Sequence, residues 1–296
     1  MKKLKILYYA LAGNVLKLYV NYCLFVSKRI TQPDHVDSSL IVSLTSYGVR
    51  ARRSVHYTLF SLLKQRVRPY KIILWLDEAE FNEQTLPASL KVLSKRGIEI
   101  GFCKNIRSYK KLIPTLRKYP EKHIVTVDDD IYYSSNLTSE LLRWHQQHPE
   151  AVIAEACAIP ALETDGGIAP YSKWQKLHLV GVNFKYNSRL LFPVGYGGVL
   201  YPAGTFDEEV LNEDIFTQLC PIADDIWFYI MGLRRNRQKV MSRSSQVRYY
   251  HVDLFRQAWN KDRLTQSNAA EGHNDVQLKS LLQHYNLSLH HFQSAD

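Results

Sequence analysis

From Ser39 onward, short runs of β-branched and aliphatic residues alternate with stretches of helical periodicity, and this alternation limits the possible folds more than any other feature. "LIVSLTSY" from residue 40, "KIILWLD" from 71, "IEIGF" from 98 and "HIVTVD" from 123 read as buried strands. Between them, Ser54 predicts a capped helix running to Gln65 with Val55, Leu59, Leu62 and Leu63 on one face. Further helices are expected over 85–95 and 109–119, the second weakened by Pro114. Strands joined by right-handed crossovers form a mostly parallel sheet covered on both faces, an α/β fold.

Open sheets of that kind bind ligands beyond the carboxyl ends of their strands. Thr45 and Ser46, Asp77 and the triplet Asp128, Asp129 and Asp130 all fall at such ends. Three adjacent carboxylates raise one another's pKa unless a cation relieves them. If the chain stays extended there, Asp128 and Asp130 face one way and Asp129 the other. Mg²⁺ or Mn²⁺ needs only one or two such carboxylates plus phosphate oxygens. The competing reading is a solvated turn in which an aspartate caps the helix beginning near Asn136. Neither GxGxxG nor GxxxxGK[ST] follows any strand, so neither a dinucleotide site nor a P-loop is supported.

The formal charge of +10 gathers in Arg50 to Lys71, in Arg234 to Arg248 and at the N-terminus. No zinc-finger or RNA-recognition signature accompanies it, so the expected partners exclude nucleic acid and favour an anionic lipid surface or a phosphorylated small ligand. Cys23, Cys103, Cys157 and Cys220 show no paired spacing and read as reduced core residues of a cytoplasmic protein.

An apolar run from Ile6 to Val26 is long enough to cross a bilayer if helical. Asn14, Lys17 and Asn21 interrupt it at helical spacing, with Lys3 and Lys28 on the same side. A lysine at mid-membrane costs about 2.5–3.5 kcal/mol, whereas an interfacial helix keeps such a stripe in water. Residues 1–30 are therefore expected to form an amphipathic helix on the cytoplasmic face of a membrane. The alternatives are a single-span anchor and a helix packed on the domain's own core.

"SLIVSLTSYGVRARRSVHYTLFSLLKQRVRPYKIILWLD" resembles the opening of family 2-like glycosyltransferases of the GT-A fold. The triplet then resembles that fold's DxD motif, "VGYGGVLYPAGTFDE" its glycine-rich acceptor loop, and "PIADDIWFYIMGLRRN" its acidic motif and following helix. The resemblance spans roughly residues 39–240. It departs from the family where the acidic pair reads Asp224-Asp225 instead of Glu-Asp, and where "WLDEAEF" replaces an Asp-Gly-Ser-like turn.

The resemblance implies a Rossmann-like nucleotide-diphospho-sugar transferase over 39–252, followed by a helical tail over 253–296 packed on it. It implies that Thr45 and Asp77 contact the base, that Asp128 lies near the ribose with Asp129 beside it, and that Asp130 and Asp128 hold Mn²⁺ or Mg²⁺. His251 is a candidate further ligand. Asp225, or its neighbour Asp224, would be the catalytic base, although N-capping of the helix "DIWFYIMGL" explains the pair as well. Lys111, with Lys110 and Arg107, is placed toward the diphosphate. Gly197 and Gly198 are placed at the acceptor, where a plain turn is the other explanation. Tyr171, Trp174 and Tyr196 are candidates for sugar stacking, with a core role the default for Trp174.

The chemistry agrees with those residue types. A sugar leaves its nucleoside diphosphate through an oxocarbenium-like state, so a cation must neutralise the phosphates and a carboxylate must take the acceptor proton. The expected reaction is inverting transfer from a nucleotide-sugar donor to a glycan or lipid-linked acceptor. Two other readings stay open: a two-metal phosphoryl or nucleotidyl transferase, and a non-catalytic membrane-associated binding protein.

Overall fold

A computed structural model describes residues 13–27, 35–163, 167–177, 187–242, 249–252 and 272–288. The strands are β1 (His35–Thr45), β2 (Val67–Asp77), β3 (Ile98–Cys103), β4 (His123–Thr126), β5 (Ile131–Tyr133), β6 (Val152–Ala154) and β7 (Cys157–Ile159). They continue with β8 (Gln175–Lys176), β9 (Asn187–Ser188), β10 (Phe192–Pro193), β11 (Val199–Tyr201), β12 (Lys239–Met241) and β13 (Tyr249–His251).

Eight strands form the central sheet in the order β3-β2-β1-β4-β11-β6-β12-β9. β1, β2, β3 and β4 pair in parallel, as do β6 and β12, while β11 and β9 run against their neighbours. This is the mostly parallel α/β sheet that the alternation leads one to expect, and it is Rossmann-like as the resemblance implies. Leu40 to Leu44 of β1 and Ile72 to Asp77 of β2 are buried without alternation, because both faces of the sheet are covered.

From β1 the strand order runs outward to β2 and β3 on one side and to β4 on the other. The crevice at such a reversal, beyond the strand ends, is where open α/β sheets hold ligands. Thr45 and the chain leaving β4 border it. β11 runs the opposite way, with Val199 opposite Thr126, so its first residue and the preceding glycines reach the same rim.

The helices differ from the expected ones in instructive ways. Ser54 does not cap with its side chain; its hydroxyl donates to the carbonyl of Arg50 (3.2 Å), closing a short helix, Gly48–Arg53, before Val55–Leu63 begins. The next helix is only Ala88–Ser94. The segment over 109–119 is split into a 3₁₀ turn, Arg107–Lys111, and an α-helix, Ile113–Lys118, whose first turn holds Pro114. Proline lacks the N–H that a continuous helix would use and is tolerated only in a first turn.

Every residue of the helix Val55–Leu63 is buried. Its sheet-facing side carries Thr58 and Ser61, with Gln65 just beyond, at helical spacing. Thr58 Oγ1 donates to the Asp129 carbonyl (2.9 Å), Ser61 Oγ accepts from the Tyr133 N–H (3.1 Å), and Gln65 Nε2 donates to the Ser134 carbonyl (2.8 Å). The other side is covered by residues 13–27, a helix ending in a π-helical turn, Cys23–Ser27. Val20, Cys23 and Leu24 enter the core there. The stripe of polar residues expected to face water instead meets Tyr57: Asn21 Nδ2 donates to its hydroxyl (3.3 Å) and Lys17 lies over its ring. Among the described residues no helix is long and apolar enough to cross a membrane. Residues 1–12 and 28–30 of the expected helix lie outside the described residues.

The helix His273–His284 packs on the helices Asp224–Arg234 and Glu213–Leu219, and residues 253–271 and 289–296 of the expected tail lie outside the described residues. All four cysteines are free, and three are buried.

Candidate functional site

Five aspartates meet on the rim. β4 ends at Thr126, and Asp128 to Asp130 lie in the turn leading to β5, so the extended-chain alternation does not apply to them. Asp129 and Asp130 turn together toward Arg50, whose guanidinium donates to an oxygen of each, at 2.6 and 2.8 Å. Asp129 also accepts from Ser46 Oγ at 2.5 Å. Asp128 turns the other way, toward Lys111, at 3.6 Å. The pairing is therefore Asp129 with Asp130, not Asp128 with Asp130, because a turn has no two-residue period.

Asp224 and Asp225 start the helix Asp224–Arg234, with Ala223 as the capping residue. Neither aspartate caps it. They stand in its first turn, where the N–H dipoles favour negative charge, and both reach Lys111: its ammonium lies 2.8 Å from Asp224 and 3.2 Å from Asp225. Lys111, with only 7% of its side chain exposed, thus joins the triplet to the second acidic pair. The helix Leu137–Gln147 starts at Asn136, beyond the triplet, so no aspartate of the triplet caps that helix either.

The loop before β11 closes the site from a third side. The Gly195 N–H donates to Asp225 Oδ2 (3.1 Å). A side chain at Gly195 would put its Cβ 2.8 Å from Asp225 Oδ1 and 2.9 Å from Lys111 Nζ, so only glycine lets the backbone lie this close. Gly198 has φ +100°, and a Cβ there would come within 3.1 Å of Leu137. Gly197 backs onto Ala156. Tyr133 ties the loop to the triplet: its hydroxyl accepts from the Asp128 N–H (3.0 Å) and donates to the Tyr196 carbonyl (2.8 Å).

The electrostatics follow from this crowding. Burial pushes the Asp128 carboxyl up to about 7 against the pull of Lys111, and Asp130, Asp225 and Asp224 add to the rise. Burial likewise raises Asp225, opposed by Lys111 and the Gly195 N–H and reinforced by Asp224. Asp129 is raised by burial and drawn back by Arg50. Burial alone would lower Lys111, but Asp224, Asp225 and Asp128 outweigh it and hold the ammonium well above the usual lysine range. The same contest, with Asp129 and Asp130, raises Arg50.

Five carboxylates against two cations leave the fully ionised cluster three charges negative. Among the described residues no three His, Cys, Asp or Glu side chains converge closely enough to hold a metal by themselves. Asp128 and Asp130 nevertheless keep 37% and 18% of their side chains open. His251 pairs across β13 and β5 with Ile131, and the Val252 N–H donates to the Asp130 carbonyl (2.9 Å). Such hard oxygen donors in an anionic rim fit a divalent ion that completes its shell with phosphate and water.

The other sequence candidates are dispersed. Thr45 Oγ1 donates to the Trp75 carbonyl (2.9 Å), and Asp77 accepts from the Ala79 N–H (3.0 Å) within its own turn, both along the rim. Lys110 turns away to Asn105 (2.8 Å), and Arg107 reaches the Pro221 carbonyl. Trp174 is a core residue, 3% exposed and packed edge-on against Phe192. Tyr171 stacks against Trp174.

Sequence reasoning missed Arg50, Gly195 and Tyr133 at the site. The signal for Arg50 was faint: a basic residue soon after β1, in the short helix Gly48–Arg53 and inside a run of other basic residues.

No protein-family model matches the chain, and no curated protein matches it. Solved structures with similar folds include a UTP-bound UGPase from Acinetobacter baumannii, 10% identical over 86% of this chain and 97% of that one, at a TM-score of 0.39. A 4-diphosphocytidyl-2C-methyl-D-erythritol synthase is 9% identical over 71% of this chain and 90% of its own, at 0.40. A CMP:2-keto-3-deoxy-manno-octonic acid synthetase complexed with CTP is 11% identical over 69% and 88%, at 0.41.

Proposed function

We propose that the chain is a metal-dependent glycosyltransferase of the GT-A class, moving a sugar from a nucleotide-sugar donor to a glycan or lipid-linked acceptor. The observation that carries this reading is the bridging of two acidic groups by Lys111 at the sheet's reversal point. The triplet side is suited to the donor diphosphate. Asp130 would hold Mn²⁺ or Mg²⁺, which supplies charge neutralisation of the leaving phosphates, while Asp128, turned toward Lys111, does not share the ion with it, and His251 lies one register position from Asp130. Thr45 and Asp77, farther along the rim, are assigned to the base.

On the other side Asp225 takes the proton of the acceptor hydroxyl. Its carboxyl is raised by burial, which makes it a stronger base than a solvated aspartate, and the Gly195 N–H fixes one oxygen. Lys111 positions Asp225 and Asp224 and stands beside the path of the phosphates. Gly197 and Gly198 are assigned to the acceptor side through their backbone, since the space beside their Cα atoms is taken by Ala156 and Leu137. A base on one side of the sugar and a stabilised leaving group on the other suit single displacement with inversion.

A two-metal phosphoryl or nucleotidyl transferase would need Asp224 and Asp225 to hold a second divalent ion. The Lys111 ammonium already stands between those two carboxylates, where a second divalent ion would have to displace it, which favours glycosyl transfer. Purified protein with Mn²⁺ and a panel of nucleotide sugars should release nucleoside diphosphate, and Asp130→Ala should not. Cleavage of nucleoside triphosphates with no donor turned over would overturn the reading.

A further inference from the structure

Among the described residues, the helix over 13–27 is docked by one side only. Leu16, Val20, Cys23 and Leu24 face the core at helical spacing, and Arg96 fixes the end by donating to the carbonyls of Cys23 (3.3 Å) and Leu24 (2.6 Å). The opposite side carries Val15, Leu18, Tyr22, Phe25 and Val26, between 48% and 72% exposed. Their steps of three, four, three and one residues draw a single apolar stripe along the outer face. Tyr19 borders it, its hydroxyl accepting from Lys64 Nζ (3.2 Å). Isolated exposed apolar residues need no explanation, but a continuous stripe on a surface helix marks an interaction site.

The surroundings say what covers it. The helix packs on Val55–Leu63 and Ala88–Ser94. Residues 47–66 contain Arg53, Lys64 and Arg66 besides Arg50 and Arg52, which are paired with Asp129, Asp130 and Glu80; residues 88–97 contain Lys91, Lys95 and Arg96; and neither stretch has an acidic residue. Residues 1–33 also have none. A second copy of the chain seated on this face by twofold symmetry would set like charges against like charges. Aromatic and aliphatic side chains on a stretch with basic and no acidic residues, bordered by Lys64 at Tyr19 and Arg96 at Leu24, suit the headgroup region of an anionic bilayer.

The geometry points to this helix as a membrane-docking strap: its outer stripe inserts into the interface of an anionic bilayer, and its inner face holds the domain there. The inner face is buried against the domain, so Leu16, Val20, Cys23 and Leu24 are not surrounded by hydrocarbon. Its seat is tied to the rim, since the helix it covers holds the carbonyl of Asp129 through Thr58. One helix, Val55–Leu63, thus separates the strap from the rim. The docking itself does not depend on the glycosyltransferase reading.

Full-length protein is sedimented with vesicles of phosphatidylcholine containing about one-third phosphatidylglycerol, and with phosphatidylcholine alone. We expect binding to the anionic vesicles only, release at about 0.5 M salt, and a drop of about tenfold or more in the bound fraction for Leu18→Glu/Phe25→Glu. Lys64→Glu should weaken binding less, with an unchanged melting curve. Sedimentation velocity is run on the same samples. Equal binding by wild type and the double variant overturns the proposal. So does binding indifferent to lipid charge, or a dimer that the double variant dissociates while vesicle binding persists. Nucleoside diphosphate release from a soluble donor, unchanged in the double variant, separates this question from that of the reaction.

Discussion

The Lys111 ammonium lies 2.8 Å from the Asp224 carboxylate, and both side chains are nearly enclosed. Removing one member of a buried pair strands the other's charge, which costs about 3–5 kcal/mol. Lys111→Met should therefore lower stability by about 3 kcal/mol in urea unfolding. Lys111→Met/Asp224→Asn leaves only the partly open Asp225 and Asp128 without their cation, so it should recover part of that loss, while both variants lose turnover. A single variant as stable as wild type would show that the pair is solvated in solution.

Arg50 spans Asp129 and Asp130 with two separate guanidinium nitrogens. Lysine keeps the charge but not the fork. Because a third of the Arg50 side chain is exposed, Arg50→Ala should cost only about 1–2 kcal/mol of stability. Its effect on turnover should be larger, about tenfold or more, since Asp130 loses its fixed orientation. Arg50→Lys should restore less than half of the lost activity; full rescue would mean that charge alone matters there.

Asp225 and Asp130 should fail differently. Asp225→Asn should retain donor binding, measured by calorimetry, while transfer falls by about 10²–10⁴, the usual contribution of a general base. Asp130→Asn should instead raise the Mn²⁺ concentration needed for half-maximal rate. Identical metal titrations for the two variants would count against the division of roles.

Two glycines separate fold from function. Gly198→Ala forces a non-glycine residue to φ +100° against Leu137, a cost of about 1–3 kcal/mol. Gly195→Ala meets only the movable ends of Asp225 and Lys111, so its melting temperature should change little while turnover drops sharply. Thermal melts alongside rate measurements on both variants test the contrast.

Glu155, held by Ser242, has its carboxyl pushed up to about 8 by burial, opposed by that hydrogen bond. An unfolded glutamate titrates near 4.3. The folded state therefore binds the proton more tightly, and this contribution is complete below about pH 4 and is lost as pH rises to about 8. Glu155→Gln keeps the neutral shape, so it should melt above wild type at pH 9, with the difference closing toward pH 5. Parallel melting curves across that range would exclude the shift.

Much of the sheet was legible because burial leaves a local trace. Leu40 to Leu44 and Ile72 to Leu76 are apolar without alternation, as strands covered on both faces must be. The breaks were harder. Pro114 was visible as a helix breaker, yet whether it kinks or splits a helix depends on what the freed backbone meets. Ser54 looked like a cap because the residue type fits, and the preceding helix claimed its hydroxyl.

The sequence by itself determined an α/β chain whose strand ends carry carboxylates. Periodicity reports which side chains are buried, and strand ends in a parallel series share one rim. Only the tertiary structure decided how those charges pair. Lys111 meets Asp225 across 114 residues, and Arg50 meets Asp129 across 79. Local pattern carries no record of such distances, because they are set by the order of strands and by the turn that swings Asp128 away from its neighbours. It also decided which side of the N-terminal helix is left open. The helical period was readable in the sequence, but the buried side was chosen by the need of Val55–Leu63 for cover.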